Sequence, residues 1–299
     1  MKQKFNPKNE NIKIFVGNKL YERNEARVSV YDSSVQGGDA VWEGLRVYDG
    51  KIFQLQMHLN RLKASAHALM FENIPSEEFI RQAINDTLVA NQMHSDTHIR
   101  LTLTRGEKIT SGMDPRLNQK GCTLIVLAEW KSPVYDNQTG VSLFTSSIRR
   151  NNPNFLDSKI HHNNLLNNVL AKIQANLAGA DDGLMLDHHG FVAETNACNI
   201  FMLSEGKLFT PTADSCLHGI TRKTILDICK KTGIEVVEKN ISLVEFYNAD
   251  FAFTTGTMGE LTPVNKIDGR IISQKAQALF DTLLNEFKNL TFTASEKIY

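Results

Sequence analysis

The sequence of 299 residues predicts a mixed α/β fold in two domains. Three features of the sequence indicate this fold. The first part alternates short apolar strand patterns with helical patterns, residues 131–139 show no periodic pattern, and residues 184–210 contain short strands joined by tight turns. We therefore expect a smaller N-terminal α/β domain at residues 1–131, a linker at 132–139 and a larger C-terminal domain at 140–299.

The N-terminal part contains strands and two helices. An Asp-Gly pair at residues 49–50 separates two strand patterns and favours a hairpin. Ser76 can cap the second helix, because Glu77 and Glu78 follow it and suit the positive end of the helix dipole. Strands are predicted at residues 12–16, 44–48, 51–55, 98–104 and 123–128, helices from 58 to 69 and 76 to 88, and a loop at 105–121.

The C-terminal part contains more strands than helices. Ser242 and Glu245 have the spacing of a capping box, and Gly179 can end the helix before it. We expect the short strands to form an antiparallel or mixed sheet that closes on itself. Strands are predicted at residues 141–146, 184–187, 191–194, 199–203, 207–210, 234–237 and 251–254, and helices at 165–177, 221–231 and 273–287.

The composition excludes several classes of protein. Lys plus Arg number 33 and Asp plus Glu number 33, so the net charge is zero, whereas nucleic-acid-binding proteins carry a basic excess. A hydrophobic content of 41% with 22% charged residues is typical of a globular protein. Because no apolar run is long enough to span a membrane and the first 13 residues lack an apolar signal core, we expect a cytoplasmic protein.

Common catalytic and metal-binding motifs are absent. The sequence has no GxGxxG, GxxxxGK[ST], HExxH or GxSxG. Its four cysteines occur singly, so we expect reduced thiols and no zinc cluster. The histidine pairs at residues 161–162 and 188–189 point to different faces of any regular element, so we expect no metal.

Two loops could hold a phosphate. Gly219 precedes Ile220 and Thr221 at a helix start, and Gly256 precedes Thr257 after an apolar strand. Glycine lets the backbone approach an anion, while a helix N-terminus supplies N–H groups and a favourable dipole. Two ordinary loops with helix caps are the alternative interpretation.

A lysine and a carboxylate complete a possible cofactor site. Lys159 precedes the long helix, and Glu194 follows an apolar strand. A buried carboxylate can pair with a cationic ring nitrogen, and a desolvated lysine can form a Schiff base. Lysine, carboxylate and phosphate site are the parts that pyridoxal phosphate requires, although Lys159 alone could be an ordinary solvated lysine.

From about residue 13 to residue 270 the chain resembles the fold-type IV (class IV) pyridoxal-phosphate aminotransferases. This family includes branched-chain aminotransferases, D-amino acid aminotransferases, (R)-selective amine transaminases and aminodeoxychorismate lyase. The resemblance implies a two-domain fold whose C-terminal domain holds a pseudo-barrel. It rests on five ordered blocks, namely Trp42-Glu43-Gly44-Leu45-Arg46, His58-Leu59-Asn60-Arg61-Leu62, the segment from Lys159 to Asn163, Glu194 with Asn199-Ile200-Phe201, and residues 217–222 with 256–263.

The resemblance also implies roles for individual residues. Lys159 would bond the cofactor covalently and move the proton between the substrate Cα and the cofactor C4′, which requires a neutral amine in a buried site. Glu194 would keep the pyridine nitrogen protonated. The remaining cofactor-binding residues would be Arg61, Ile220, Thr221 and Thr257 on the phosphate and Leu217 on the ring.

The sequence departs from the branched-chain enzymes at the substrate pocket. Residues 36–39 lack the usual aromatic residue, Asn164 replaces a common Tyr, His98 replaces another Tyr, and His218 replaces Pro. We take as substrate-site candidates Gly37, Trp42, His98, Arg100, Asn164 and Met258. The substrate carboxylate could bind to Arg100, Arg105, Arg149 or Arg150, since a guanidinium matches a carboxylate bidentately. Arg46 and Glu43 are predicted to form a structural pair.

The predicted function is transfer of an amino group between an amino acid or amine and a 2-oxo acid. Branched-chain L-amino acids are the default donors, and D-amino acids or (R)-amines are the alternative. A lyase of the aminodeoxychorismate type is a second alternative, and a binding protein without cofactor is a third. The resemblance implies a homodimer in which each subunit helps close the other's site.

Overall fold

The computed structural model describes residues 4–135, 137 and 139–297. The chain forms two compact units. The N-terminal unit holds residues up to 132 together with two later segments, 160–164 and 291–297, which the domain prediction assigned to the C-terminal part. The C-terminal unit holds the other described residues, from 133 to 159 and from 165 to 290. The domain boundaries given above stay a prediction.

Strands and helices follow one another along the described residues. The strands are β1 Lys13–Val16, β2 Lys19–Glu22, β3 Ala40–Tyr48, β4 Lys51–Phe53, β5 Thr97–Thr104, β6 Thr123–Trp130, β7 Val141–Thr145, β8 Asp182–Leu186, β9 Val192–Thr195, β10 Asn199–Ser204, β11 Lys207–Pro211, β12 Val236–Lys239, β13 Phe251–Gly256, β14 Glu260–Ile267, β15 Arg270–Ile271 and β16 Ser295–Lys297. The α-helices are α1 Ser33–Gly37, α2 Leu55–Ala68, α3 Glu77–Ala90, α4 Leu166–Leu177, α5 Ile220–Thr232, α6 Leu243–Tyr247 and α7 Gln277–Thr293, with short 3₁₀ turns at Pro7–Asn9 and Pro115–Leu117.

The N-terminal unit is built on an antiparallel sheet of seven strands in the order β16-β4-β3-β5-β6-β1-β2. Helices α2 and α3 contribute Leu59 and Ile84 to a core that includes Leu45 and Ile99 of the sheet. Because side chains alternate along a strand, Arg100 lies on the opposite face of β5 from Ile99. That opposite face carries the polar candidates of the N-terminal unit.

The C-terminal unit is built on a mixed, curled sheet. Its strands follow the order β12-β11-β10-β13-β14-β7-β8-β9, with β15 paired to β14. The β11–β12, β14–β7 and β7–β8 pairs are parallel, and the edge strand β9 returns to contact β10 and β11. The expectation of a mixed sheet that closes on itself is confirmed, as a half-barrel.

Several elements differ from their predictions. Strands β2, β14, β15 and β16 and the short helix α1 were not predicted. β14 contains Pro263, which has no N–H for the sheet and weakens the strand pattern, although it pairs with Phe253 of β13. β3 begins at Ala40 rather than at residue 44, and α7 begins at Gln277 rather than at 273.

The predicted linker is packed against the C-terminal unit. The N–H of Val134 donates to the carbonyl of Met258 at 3.0 Å. The Tyr135 ring lies so close to Gly259 that an added Cβ would approach it to 2.8 Å. Residues 136 and 138, which also belong to the predicted linker, lie outside the described residues. The neighbouring residues Val134 and Tyr135 contact Met258 and Gly259 in the loop that follows β13.

No helix in the described ranges combines the length and the apolar character needed to cross a bilayer. The four cysteines are free thiols, and burial raises the pKa of Cys216 to about 12.

Candidate active site

Glu194 is a buried carboxylate of the C-terminal unit. It lies on β9 and is 4% exposed. Its Oε1 accepts from Arg150 Nε at 2.5 Å and from the backbone N–H of Leu217 at 3.2 Å, while Oε2 accepts from Asn199 Nδ2 at 2.9 Å. Burial raises the pKa of Glu194, and the charge of Arg150 opposes that shift. A carboxylate accepts about four hydrogen bonds, so this one has capacity for a further donor.

Asn199 connects Glu194 to the predicted phosphate site. Its Nδ2 also donates to the carbonyl of Leu217 at 3.0 Å. Its Oδ1 lies where a Cβ on Gly219, the N-cap of α5, would collide with it. Only glycine therefore fits at this N-cap, and the N-terminus of α5, with Ile220 and the buried Thr221, lies beside the partners of Glu194.

Thr257 lies at the end of β13, and α5 packs against that strand. Gly256 before it is in close contact with Cys198, because an added Cβ would approach Cys198 Sγ to 3.1 Å. The C-terminal unit thus places Thr257 in the turn directly after a strand that packs against α5.

Lys159 is less buried than predicted. Its side chain is 36% exposed, and its Nζ lies 3.1 Å from Asp157 Oδ1 and 3.4 Å from the carbonyl of Asp214. Burial acts to raise the pKa of Asp157, but hydrogen bonds from the backbone and side chain of Lys159 lower it overall. The protein side chains therefore do not supply the desolvation that was expected around the lysine.

A second buried carboxylate, Glu43, organises the N-terminal unit. It is 0% exposed and accepts from Arg61 Nε at 2.8 Å and Arg61 Nη2 at 2.7 Å. His58 Nδ1 lies 2.7 Å and His161 Nδ1 lies 3.3 Å from it. Burial acts to raise the pKa of Glu43, yet Arg61 and His161 hold it well below its usual range. The predicted Glu43–Arg46 pair is wrong, since Arg46 Nη1 donates to the carbonyl of Lys131.

Arg100 differs from the other arginine candidates in its partners. Its Nη2 donates to Asn163 Oδ1 at 2.5 Å, its guanidinium lies 4.0 Å from the centre of the Trp42 ring, and no described carboxylate pairs with it. By contrast, Arg105 pairs with Asp39. Arg150 pairs with Glu194, and the exposed Arg149 donates to the carbonyl of Ser146.

The other substrate candidates lie in different environments. His98 is 7% exposed, and its Nε2 has no hydrogen-bond partner among the residues that the structure describes. Gly37 ends α1, and the exposed Asn164 packs against the neighbouring Gly38. Met258 belongs to the C-terminal unit. The N-terminal unit therefore brings Trp42, His98 and Arg100 together, on the face of the sheet opposite its core.

Three functional groups were not assigned from the sequence. These are the two histidines that contact Glu43, the amide of Asn163 that contacts Arg100, and the hydrogen-bond partners of Glu194. A partial signal existed for one of them, because the three-residue spacing of His58 and Arg61 places both on one face of α2. Arg150 lies 44 positions from Glu194 and Asn163 lies 63 positions from Arg100, so these pairs left no local pattern.

A model of the amino-transferase class IV family matches residues 40–267. The chain belongs to the class IV aminotransferase family. This confirms the resemblance that the five sequence blocks indicated.

Individual class IV aminotransferases give the extent of similarity. The chain is 57% identical over 286 residues to branched-chain-amino-acid aminotransferase-like protein 2 of Arabidopsis thaliana, covering 95% of this chain but 51% of that protein. It therefore spans about half the length of that relative. It is 35% identical over 260 residues to a D-alanine aminotransferase of Listeria innocua, covering 86% of this chain and 88% of that one.

A solved structure agrees with the described fold. The T.th. branched-chain amino acid aminotransferase, complexed with N-(5'-phosphopyridoxyl)-L-glutamate, superposes with a TM-score of 0.86 at 30% identity, over 97% of this chain and 99% of that one. The predicted mixed α/β class is therefore confirmed. In the described residues no group of three His, Cys, Asp or Glu side chains is arranged to hold a metal ion.

Acid should destabilise the protein through His98. Burial, followed by the charges of Lys131, Arg46 and Arg100, lowers the pKa of His98 from 6.5 to about 3. Since the unfolded chain binds this proton at a higher pH than the folded chain, stability is present above pH 6.5 and is lost as the pH falls towards 3. Each pH unit in this window costs about 1.4 kcal/mol of unfolding free energy for one such group.

We expect His98→Gln to reduce the loss of unfolding free energy between pH 6 and pH 5 by about 1 kcal/mol, as measured by urea denaturation. The exposed His67 provides the control, because His67→Gln should leave the wild-type pH dependence unchanged. An equal pH dependence in wild type and His98→Gln would contradict the assignment.

Proposed function

We propose that this chain is a pyridoxal-phosphate-dependent aminotransferase that moves an amino group between an amino acid or amine and a 2-oxo acid. The buried Glu194 carboxylate is the observation that carries the proposal. It is costly to bury, it is held by Arg150 and Asn199, and it lies beside the N-terminus of α5. Membership of the class IV family and the phosphopyridoxyl complex of the T.th. enzyme support it.

The residues of the C-terminal unit fit the cofactor. The unused hydrogen-bonding capacity of Glu194 suits a protonated ring nitrogen, and Leu217 is tied to Glu194 and Asn199 by its backbone. The N-terminus of α5, at Ile220 and Thr221, together with Thr257 suits a phosphate. Arg61 remains the proposed phosphate ligand of the N-terminal unit. When bound, pyridoxal phosphate supplies an electron sink for the bond that breaks at the substrate Cα.

Lys159 is proposed to hold and move the reacting proton. Its Nζ accepts the proton from the substrate Cα, which requires the neutral amine. Asp157 at 3.1 Å orients the side chain while the amine is protonated. Arg150 and Asn199 donate hydrogen bonds to Glu194, and such bonds favour the carboxylate over the neutral acid, so Glu194 is suited to accept a hydrogen bond from a protonated ring nitrogen.

Arg100 is the arginine that we propose for the substrate carboxylate. It is partly buried, it faces the Trp42 ring, and among the described residues it has no carboxylate partner. Burial lowers the pKa of Arg100, but a guanidinium stays charged at neutral pH. An incoming carboxylate would therefore meet an uncompensated cation, whereas Arg105 and Arg150 are already paired.

The proposed donors are branched-chain L-amino acids, supported by the similarity to the Arabidopsis relative. D-amino acids or (R)-amines are the alternative, supported by the similarity to a D-alanine aminotransferase and by His98 and Asn164 in place of two tyrosines. A lyase of the aminodeoxychorismate type is the second alternative. It would release pyruvate without an amino acceptor, so omitting the acceptor distinguishes it.

The purified protein should be yellow, and borohydride should remove the absorption band. Lys159→Ala should lack the band and lose at least about 1000-fold of its transamination rate, because it has neither the nucleophile nor the base. The exposed Lys207, paired with Glu235, provides the control variant Lys207→Ala, which should keep both. A colourless wild-type protein that ignores added pyridoxal phosphate would overturn the proposal.

A half-reaction screen should identify the donor. We expect L-Leu to bleach the cofactor band faster than D-Ala, L-Glu or an (R)-arylamine, as followed by stopped-flow absorbance. Faster bleaching by D-Ala or by the arylamine would replace the branched-chain assignment with the alternative.

We also propose that the chain forms a homodimer. One apolar stripe of α4 is exposed, because the helix packs on β8 through its buried residues Ala171 and Ala175. A Cβ on Gly183 of β8 would lie 2.8 Å from the carbonyl of Ala171, so small residues bring the helix close to the sheet. The exposed residues, called the α4 stripe, are 43% to 85% exposed and comprise Leu166, Val169, Leu170, Ile173 and Leu177. A second copy of the chain could cover such a surface.

Replacing both Leu170 and Ile173 with Glu should convert the dimer to a monomer in sedimentation velocity, because burying two carboxylates in an apolar interface is unfavourable. Val89→Glu provides the control, since Val89 is 52% exposed on α3 and is not part of the α4 stripe. Wild type that sediments as a monomer, or a double variant that stays dimeric, would refute this interface.

A further inference from the structure

The residues that follow Lys159 are fixed on the sheet of the N-terminal unit. The N–H of Trp42 donates to the carbonyl of His161 at 3.0 Å, and the N–H of Asn163 donates to the carbonyl of Ala40 at 2.7 Å. His162 forms an antiparallel bridge with Val41 between them. The backbone of residues 161–163 therefore pairs with the edge of β3. This pairing fixes the positions of their Cα atoms relative to the sheet.

This backbone arrangement places a neutral acceptor beside Arg100. Asn163 Oδ1 accepts from Arg100 Nη2 at 2.5 Å, and Trp42 lies against the guanidinium. Trp42 is itself held, because its Nε1 donates to the carbonyl of His162 at 3.2 Å. The segment 161–163 thus holds both groups that contact Arg100.

The choice of an amide has a chemical consequence. Asn163 orients the guanidinium through one hydrogen bond and adds no negative charge, so the other N–H groups of Arg100 and its full charge stay available to an anion. An aspartate of the same size would form an ion pair with Arg100 and compete with a substrate carboxylate. The neutral partner keeps Arg100 both oriented and uncompensated.

We propose that Asn163 is a positioning residue for the substrate-carboxylate site, acting through Arg100. This inference rests on the proposed function, in which Arg100 binds the carboxylate. Asn163, which orients the carboxylate-binding Arg100, is four positions from Lys159 along the chain.

The test measures binding of 4-methylpentanoate, a carboxylate without an amino group, to the holoenzyme. The chain has two tryptophans, so a Trp130→Phe background makes Trp42 the only fluorescent indole next to Arg100. Asn163→Ala should weaken the Kd about 5- to 10-fold, because Arg100 keeps its charge but loses a hydrogen bond that orients it. Asn163→Asp should weaken it by about 100-fold or more, because the introduced carboxylate pairs with Arg100.

Two controls separate positioning from a general structural effect. The neutral 4-methylpentanamide and the half-reaction with 1-aminobutane, which has no carboxylate, should change less than twofold in both variants. Asn18→Ala, at an exposed turn between β1 and β2, should leave all Kd values unchanged. If Asn163→Ala does not fold, the isosteric Asn163→Asp still gives the comparison between carboxylate and amide ligands.

Equal Kd values for 4-methylpentanoate in wild type and both variants would overturn the role of Asn163 while leaving the proposed function intact. Equal weakening for the acid and the amide would also overturn it. A wild-type protein that binds cofactor but not 4-methylpentanoate would overturn the Arg100 site and this inference together. Absence of the cofactor band in wild type would instead refute the proposed function.

Discussion

The cost of burying a carboxylate constrains the whole C-terminal unit. Glu194 is removed from water, where an isolated charge would be strongly unfavourable, so it must be matched by Arg150, Asn199 and the N–H of Leu217. Those partners come from a loop, a strand and the approach to α5. Satisfying one carboxylate therefore also brings the N-terminus of α5 close to β10, where Gly219 leaves no room for a side chain.

In the N-terminal unit the buried Glu43 has a charged partner, as Glu194 has, whereas Arg100 has only neutral partners among the described residues. Glu43 is paired with Arg61 and lies within hydrogen-bond distance of two histidines, so it is a fixed part of the structure. Arg100 is held by a neutral amide and an aromatic ring, so its charge remains available. This contrast is the reason that Arg100, and not Arg61, is proposed for the substrate carboxylate.

Much of the fold could be predicted because its signals are local. The Ser76 cap, the Ser242–Glu245 capping box and the strand patterns of β5 and β6 depend on neighbouring residues, and the structure shows all of them. β14 was missed because Pro263 interrupts its pattern, and it forms only through pairing with β13 and β7. The stripe on α4 was visible, but its exposure depends on which face of the helix packs on β8.

The sequence by itself determined the family, through ordered blocks that include Lys159 and Glu194, and it determined the mixed α/β class. Only the tertiary structure decided how the charges pair. In the folded chain Glu43 pairs with Arg61 rather than with Arg46. Arg150 pairs with Glu194, 44 positions away, and Arg100 donates a hydrogen bond to Asn163, 63 positions away. The physical reason is that these pairs form between side chains that folding brings together. The distance between two side chains in the folded chain cannot be read from their residue types or from their spacing in the sequence.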